Sequence, residues 1–499
     1  MNSDSTNIPT KERALVLQGG GSLGAYEAGS YKALYEWLSK EDKKEGKETS
    51  ITFDIIAGTS IGAMNAAILT SYVVENGTYE GSAERLVDFW EYLSKESIAD
   101  TNPWFKPFWD YLNSLDKAIA TGEAARRYYS AKEFAITGEP NVFSPPIPAH
   151  DKKFFDFIWN TWYRFSNEPL RKSLEKFAKF PIATSHEENQ PRLILVSVDV
   201  ADGVPVTFDS YAKEDGSRKT EYGRYVKQYG KEIGFEHVIR YNDGITVDQV
   251  MASGCFPINF DYALLEVESH YHHSPNSDSF PQRNDNRGVG HSNSIGTSSH
   301  PSPDRDFSNQ YRKEIRHFWD GGLLTNTPLS QLVILHRDYW YKIRELKDKV
   351  PTLTVGVINV HPTRQTQIPT DHDGVVDRKN DIAFSDRSHR DEEVLLLVSD
   401  YIDLVRNLIR IAKEAGANDK VITDLLNQRT KYHGLSSAPR LNKEIIEGRF
   451  DIDHIIRIER KNDEHTISDK TFDFSFGTIT QLLKDGYADT MNFIQTKTS

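Results

Sequence analysis

The stretch ITFDIIAGTSIGAMNAAILTSYVVE, Ile51 to Glu75, decides the fold. Its first part is apolar and β-branched and ends at Gly58, which predicts a short buried strand. From Ser60 onward the apolar residues fit a helix. Between the two lies G-x-S-x-G, with Ser60 flanked by Gly58 and Gly62. A sharp strand-to-helix turn exposes the central serine and needs small neighbours, because its backbone is cramped. The turn also sets Ser60 at a helix N-terminus, where backbone N–H groups and the helix dipole favour negative charge. Ser60 reads as a nucleophile, and a small residue in a tight turn is the alternative.

The same alternation occurs just upstream. RALVLQ (13–18) reads as a strand, GGGSLG (19–24) as a turn and AYEAGSYKALYEWLSK (25–40) as a helix. Strand, glycine turn and helix, twice over, predict an α/β fold with a mostly parallel central sheet and covering helices. RLILVSVDVADG (192–203), LTVGVINVHP (353–362) and FDIDHIIRIER (450–460) extend the strand set. EEVLLLVSDYIDLVRNLIRIAKEA (392–415) is a long amphipathic helix with Leu and Ile at three- and four-residue spacing, and TITQLLKDGYADTMNFI (478–494) is a closing helix.

The glycine run contains G-x-G-x-x-G at Gly19, Gly21 and Gly24. That pattern suggests a dinucleotide-binding turn. Its physical content is broader, since unhindered N–H groups at a helix N-terminus bind any anion. A nucleotide site also wants an acidic residue after the next strand. Asp54 lies inside that strand, and GTSIG occupies the position after it. The run therefore reads better as an oxyanion hole beside Ser60, with close packing as the alternative. Farther on, HFWDGGLLTNTP places Asp320 before Gly321 and Gly322. An aspartate at a strand end before two glycines can sit in a cramped turn and accept a proton, although Asp-Gly is also a common turn signal.

The chain has 499 residues, 38% of them apolar, and a formal net charge of −13. That charge argues against broad nucleic-acid binding and gives no global pull toward anionic membranes. No apolar run approaches the ~18 residues of a membrane-spanning helix. The polar start MNSDSTNIPTKER lacks the apolar core of a secretory signal. The single cysteine, Cys255, forms no intrachain disulfide and fits a reducing, cytoplasmic setting. It reads as a buried small apolar residue rather than a catalytic one.

One domain is expected over residues 12–495, with two insertions. The first, 95–185, is cap-like and carries Trp104, Trp109, Trp159 and Trp162. Within it, 152–165 sets Phe155, Ile158, Trp159 and Trp162 on one helical face beside basic flanks. Together with 104–112, it is a candidate for peripheral membrane contact or for packing over the core. The second, 269–311, is rich in Ser, Asn, His, Asp and Pro and reads as a disordered loop. Its His270, His272, His273, His291 and His300 show no fixed ligand spacing, so no metal site is expected. No EF-hand-like acidic loop is evident. His317, His336, His361 and His433 are available to a triad but lie in no recognisable motif.

The glycine-rich run, the G-x-S-x-G elbow and the downstream D-G-G resemble the patatin-like phospholipase family, in the family's order. MASGCFPINF, from Met251, and SVDVADGVPVTFDS resemble further stretches of it. The resemblance implies the three-layer patatin-like fold and hydrolysis of lipid acyl esters. It implies a Ser–Asp dyad, with Ser60 the nucleophile and Asp320 its base. The oxyanion donors it implies are backbone N–H groups at Gly19, Gly20, Gly21 and Ile61. It implies no cofactor. Many family members carry Lys or Arg where this chain has Leu23, so no phosphate contact is implied there. The rival functions are a Ser–His–Asp carboxylesterase acting on small esters and a non-catalytic nucleotide- or lipid-binding protein.

Overall fold

The computed structural model describes residues 8–46, 52–97, 101–102, 107, 122–144, 163–228, 231–272, 312–346, 350–429, 441–446, 450, 452–461 and 466–498. The two membrane-contact candidates, 104–112 and 152–165, and the loop 269–311 lie almost wholly outside the described residues. The strands are β1 (Lys11–Leu17), β2 (Ile55–Thr59), β3 (Arg192–Asp199), β4 (Val204–Asp209), β5 (Lys219–Gln228), β6 (Lys231–Arg240), β7 (Ala263–His272), β8 (Arg312–Asp320), β9 (Thr352–Asn359) and β10 (Ile452–Glu459). The helices that matter to the site are α1 (Gly24–Lys44), α2 (Ile61–Asn76), α3 (Ser82–Leu93), α4 (Val247–Gly254), α5 (Leu329–Asp338), α6 (His372–Phe384), α7 (Ser388–Glu414) and α8 (Phe476–Thr498).

Strands β10, β9, β1, β2 and β3 run parallel in that order, the doubly covered arrangement that their apolar sequences call for. Alternate residues of each strand enter different cores. Leu15, Leu17, Ile56, Leu193 and Leu195 join α1, α2 and α3 on one face, with Ile479 and Leu482 of α8. Ala14, Val16, Ile55, Ala57 and Ile194 face the other way, onto Leu329, Leu332 and Val333 of α5 and Leu395 of α7. Helices above and below one sheet make three layers.

Beyond β3 the sheet turns antiparallel, an extension that the strand-by-strand sequence reading does not resolve. β4 returns along β3 as a hairpin, and β8, β7, β6 and β5 form a meander. The registers around β3 are specific. Residues 194–196 pair with β2 on one edge and β4 on the other. Residues 197–199 keep β4 and take β8 as their second partner. β2 and β8 therefore lie end to end along a single edge of β3. Thr59 sits opposite Val196, and Asp320 sits opposite the next residue, Ser197.

Helix α7 has two apolar faces. Leu395 and Ile402 are buried, whereas Val394, Leu397, Tyr401, Leu404, Leu408 and Ile411 recur at three- and four-residue spacing and are all at least half exposed.

At the start of β3, Arg192 and Asp209 are buried together. Nε reaches Oδ1 at 2.9 Å and Nη2 reaches Oδ2 at 2.6 Å, while Nη1 donates to the Leu335 carbonyl at 2.9 Å. Removing one partner strands a buried charge, which costs about 3–5 kcal/mol. Arg192→Leu is expected to lose that much stability in urea unfolding, and Arg192→Leu with Asp209→Leu to lose markedly less.

Candidate active site

Ser60 is the residue between β2 and α2. It adopts φ 56° and ψ −126°, a left-handed backbone that a serine accepts only under constraint. Two glycines permit the turn by close approach. A Cβ on Gly58 would sit 2.2 Å from the Gly62 carbonyl oxygen, and one on Gly62 would sit 2.5 Å from that of Leu17. Ser253, near the end of α4, fastens the turn to the sheet. Its Oγ accepts from the Ser60 backbone N–H at 3.0 Å and donates to the Val196 carbonyl at 2.6 Å.

Asp320 reaches the same place from the other direction. Its backbone N–H donates to the Cys255 carbonyl at 3.0 Å. Gly321 then passes so close to β3 that a Cβ would meet the Val196 carbonyl oxygen at 2.2 Å. The carboxylate is 2% exposed. Burial pushes its pKa up to about 7, against two donors that pull it down, the Ser60 side chain and the Gly322 backbone N–H 2.7 Å from Oδ1. No cation is among the groups that act on it. The structure thus brings together a serine and a carboxyl group that titrates near neutrality, from strand ends 260 residues apart.

The glycine run borders the same spot. A Cβ on Gly19 would lie 2.9 Å from the Cβ of Ser60. Gly20 is extended, and Gly21 has φ +58°, a conformation that suits glycine. Gly24 packs against Trp90 and Ile61 rather than opening to the cleft. Two side chains hold the run in place. Gln18 accepts from the backbone N–H groups of Val360 (2.8 Å) and His361 (3.1 Å) and donates to the Phe384 carbonyl at 3.0 Å. Asn326 donates to the carbonyls of Gly19 (3.3 Å) and Phe384 (2.7 Å). Neither side chain was singled out from sequence. Both precede or follow a glycine motif at short range, which is the one signal they carry.

Gly19, Gly20, Gly21, Ser60, Ile61, Asp320 and Gly322 all line one cleft, partly open to solvent. Its remaining walls are strongly aromatic, with Phe143, Phe256, Phe260, Phe384, Phe472 and Phe474, and include Met64 and Leu170. A large apolar cleft with a few convergent polar groups is the usual form of a ligand site.

The histidines divide. His361 lines the cleft beside Gly20, with its Nδ1 3.2 Å from Asp381, and burial holds its pKa below the ordinary value. It neighbours the glycine run rather than the Ser60 hydroxyl. His336 is buried against Glu12 at 2.8 Å, and His317 packs edge-on to Tyr262. His433 lies outside the described residues. Cys255 is buried, its thiol pushed up to about 12, which leaves it unionised and inert. Leu23 is buried in the core. Among the described residues one acidic cluster has ligand-like spacing, Asp199, Asp202 and His237, but the Arg316 guanidinium already binds both carboxylates.

A family model described as patatin-like phospholipase matches residues 15–333, well over half of the chain. The chain belongs to that family. No curated protein matches it. The crystal structure of VipD from Legionella pneumophila is similar to it at 11% identity and a TM-score of 0.27, covering 98% of this chain and 67% of that one.

Two outcomes are expected. Gly62→Ala should destabilise the fold by about 1–3 kcal/mol or more, because the new methyl meets backbone and not a movable side chain. Asp320→Asn should do the opposite in a pH-dependent way. The folded protein holds the Asp320 proton up to about pH 7, and an aspartate ordinarily loses it near 3.8. The stability that this proton contributes is complete below the lower value and is lost as pH rises through the higher one. The variant's advantage over wild type should therefore grow between pH 4 and pH 8, to at most roughly 4 kcal/mol. A pH-independent difference in unfolding midpoint would contradict the burial argument.

Proposed function

We propose that this patatin-like family member hydrolyses carboxylic ester bonds of lipids through a Ser60–Asp320 dyad. The observation that carries the proposal is the meeting of a strained, helix-capping serine with a buried carboxyl group that titrates near neutrality, beside a glycine run in an aromatic cleft. The family supplies the lipid class, and the cleft's phenylalanines suit an acyl chain.

The chemistry follows from positions. Asp320, ionised, takes the proton of Ser60 Oγ as that oxygen bonds to the acyl carbon. Backbone N–H groups at Gly19, Gly20, Gly21 and Ile61 receive the carbonyl oxygen as it becomes negative. The ester C–O bond breaks, and the proton held by Asp320 passes to the departing alkoxide. Water then attacks the acyl-enzyme, again giving its proton to Asp320. Ser60 recovers that proton as the fatty acid leaves. A carboxylate with an ordinary pKa near 4 would be a weak base for this task, and burial raises its basicity toward the working pH.

A triad would need a histidine against the Ser60 hydroxyl. His361 lines the cleft but is bound to Asp381 and borders Gly20. Replacement of Asp320 is thus expected to be as damaging as replacement of Ser60.

The test is labelling with a fluorescent fluorophosphonate, together with turnover of a dispersed phospholipid. Ser60→Ala should lose the label, and both Ser60→Ala and Asp320→Asn should lose roughly 10³-fold or more in turnover. Wild-type kcat/KM should rise with pH to a plateau above about 7, because the base must be ionised. Label retained in Ser60→Ala would reject this serine. A folded wild type that takes no label, with lipid present, would reject the hydrolase and leave a binding protein.

A further inference from the structure

Three separate chain segments line the cleft, and each carries exposed aliphatic residues between two lining residues. Ile258 stands between Phe256 and Asn259, Leu323 and Leu324 between Gly322 and Asn326, and Ile382 between Asn380 and Phe384. These four side chains are 61%, 38%, 53% and 53% exposed. The segments meet at the cleft, where the Phe256 and Phe384 rings lie 5.6 Å apart and Asn326 donates to the Phe384 carbonyl. Ile258 carries a second cost besides exposure. Its φ is +73°, a genuine outlier for a β-branched residue. Strain of this kind persists where the surrounding structure enforces it and clusters at functional places.

Two exposed arginines stand beside these aliphatics, in a chain whose net charge is −13, along with one exposed carboxylate, Asp261. The backbone N–H of exposed Arg164 donates to the Ile258 carbonyl at 3.0 Å. The guanidinium of exposed Arg387 donates to the Ile382 carbonyl at 3.2 Å. Asp261, in the same loop as Ile258, accepts locally from the Tyr262 backbone N–H.

We infer that this rim is a membrane-docking surface, on which Ile258, Leu323, Leu324 and Ile382 enter the lipid layer while Arg164 and Arg387 stay among the phosphate head groups. Aliphatic anchors with basic flanks are the chemistry of interfacial binding. The inference rests on the reading of the cleft as a lipid ester hydrolase. It adds where the bilayer meets the protein, so that an acyl chain passes from the layer to Ser60 without crossing water. Apart from Arg164, the surface lies outside the segments 104–112 and 152–165 that the sequence suggested.

The experiment uses full-length protein and phosphatidylcholine vesicles, with and without added phosphatidylserine, in a co-sedimentation assay. The test variant is Ile258→Ser with Leu324→Ser and Ile382→Ser. The control is Leu404→Ser with Leu408→Ser, equally exposed but on α7. The rim variant is expected to lose vesicle affinity by roughly an order of magnitude or more. It should lose vesicle-lipid turnover in proportion, and cleave a short ester in monomeric solution within about twofold of wild type. The α7 control and Ser60→Ala should still bind vesicles. Unchanged vesicle binding by the rim variant overturns the inference, as does loss of binding in the α7 control alone. Arg164→Gln with Arg387→Gln should weaken binding more when phosphatidylserine is present, and equal weakening in both vesicle types overturns the head-group assignment. The two readings fail separately. Vesicle binding that depends on the rim without turnover would sink the hydrolase and keep the docking surface. Cleavage of the soluble ester by a protein that binds no vesicle would do the reverse.

Discussion

One edge of β3 carries two strands, and the candidate site depends on that arrangement. β2 covers its first part and stops at Thr59, and β8 covers the remainder from the opposite direction and stops at Asp320. Neither strand pairs with the other. Their ends are brought together by a common partner, whose Val196 carbonyl takes the Ser253 hydroxyl and leaves room for Gly321 and no larger residue. The serine and the aspartate are thus set by strand register, which a one-residue slip would destroy. Strand ends are rigid positions, and a reacting pair needs that rigidity more than it needs proximity alone.

The arrangement holds groups that are unfavourable on their own. Ser60 has a backbone conformation that non-glycine residues avoid, worth about 1–3 kcal/mol. Asp320 is buried with no cation acting on it. Such costs survive because the neighbourhood is tied from several sides. Gln18 and Asn326 both donate to the Phe384 carbonyl, and through it they join the glycine run, the Asp320 turn and the end of α6. The same tie carries the rim, since Phe384 borders Ile382 and stacks edge-on to Phe256.

Much of this was legible in the sequence because it is local. The two strand–glycine–helix units, the serine between Gly58 and Gly62, and the aspartate before Gly321 and Gly322 all follow from residues within one turn of each other. The inner parallel strands were legible because strands covered on both faces are largely apolar, as β2 and β3 are. The antiparallel meander was harder, because β7 and β8 alternate polar and apolar residues and carry many charges. The joining of residue 60 to residue 320 could not be derived from composition or period, since the strand that aligns them, β3, is far from both in sequence. Family likeness supplied that pairing, and the registers supply its physical reason. Gln18, Ser253 and Asn326 were invisible as a group for the same reason, since each acts on backbone far away in sequence.

The shared edge also has a kinetic consequence. Ser60 and Asp320, which meet only once β3 has joined both of their strands, require two long loops to close, and such contacts form slowly. The first unit, β1 to α2, is contiguous and can gather its core early, with Ser60 already in its turn. Asp320 arrives only when β8 docks, after a further two hundred residues have found their place. During synthesis, therefore, the Ser60 turn is present long before Asp320 joins it. On the proposed reading, activity doubles as a report that the antiparallel half has docked.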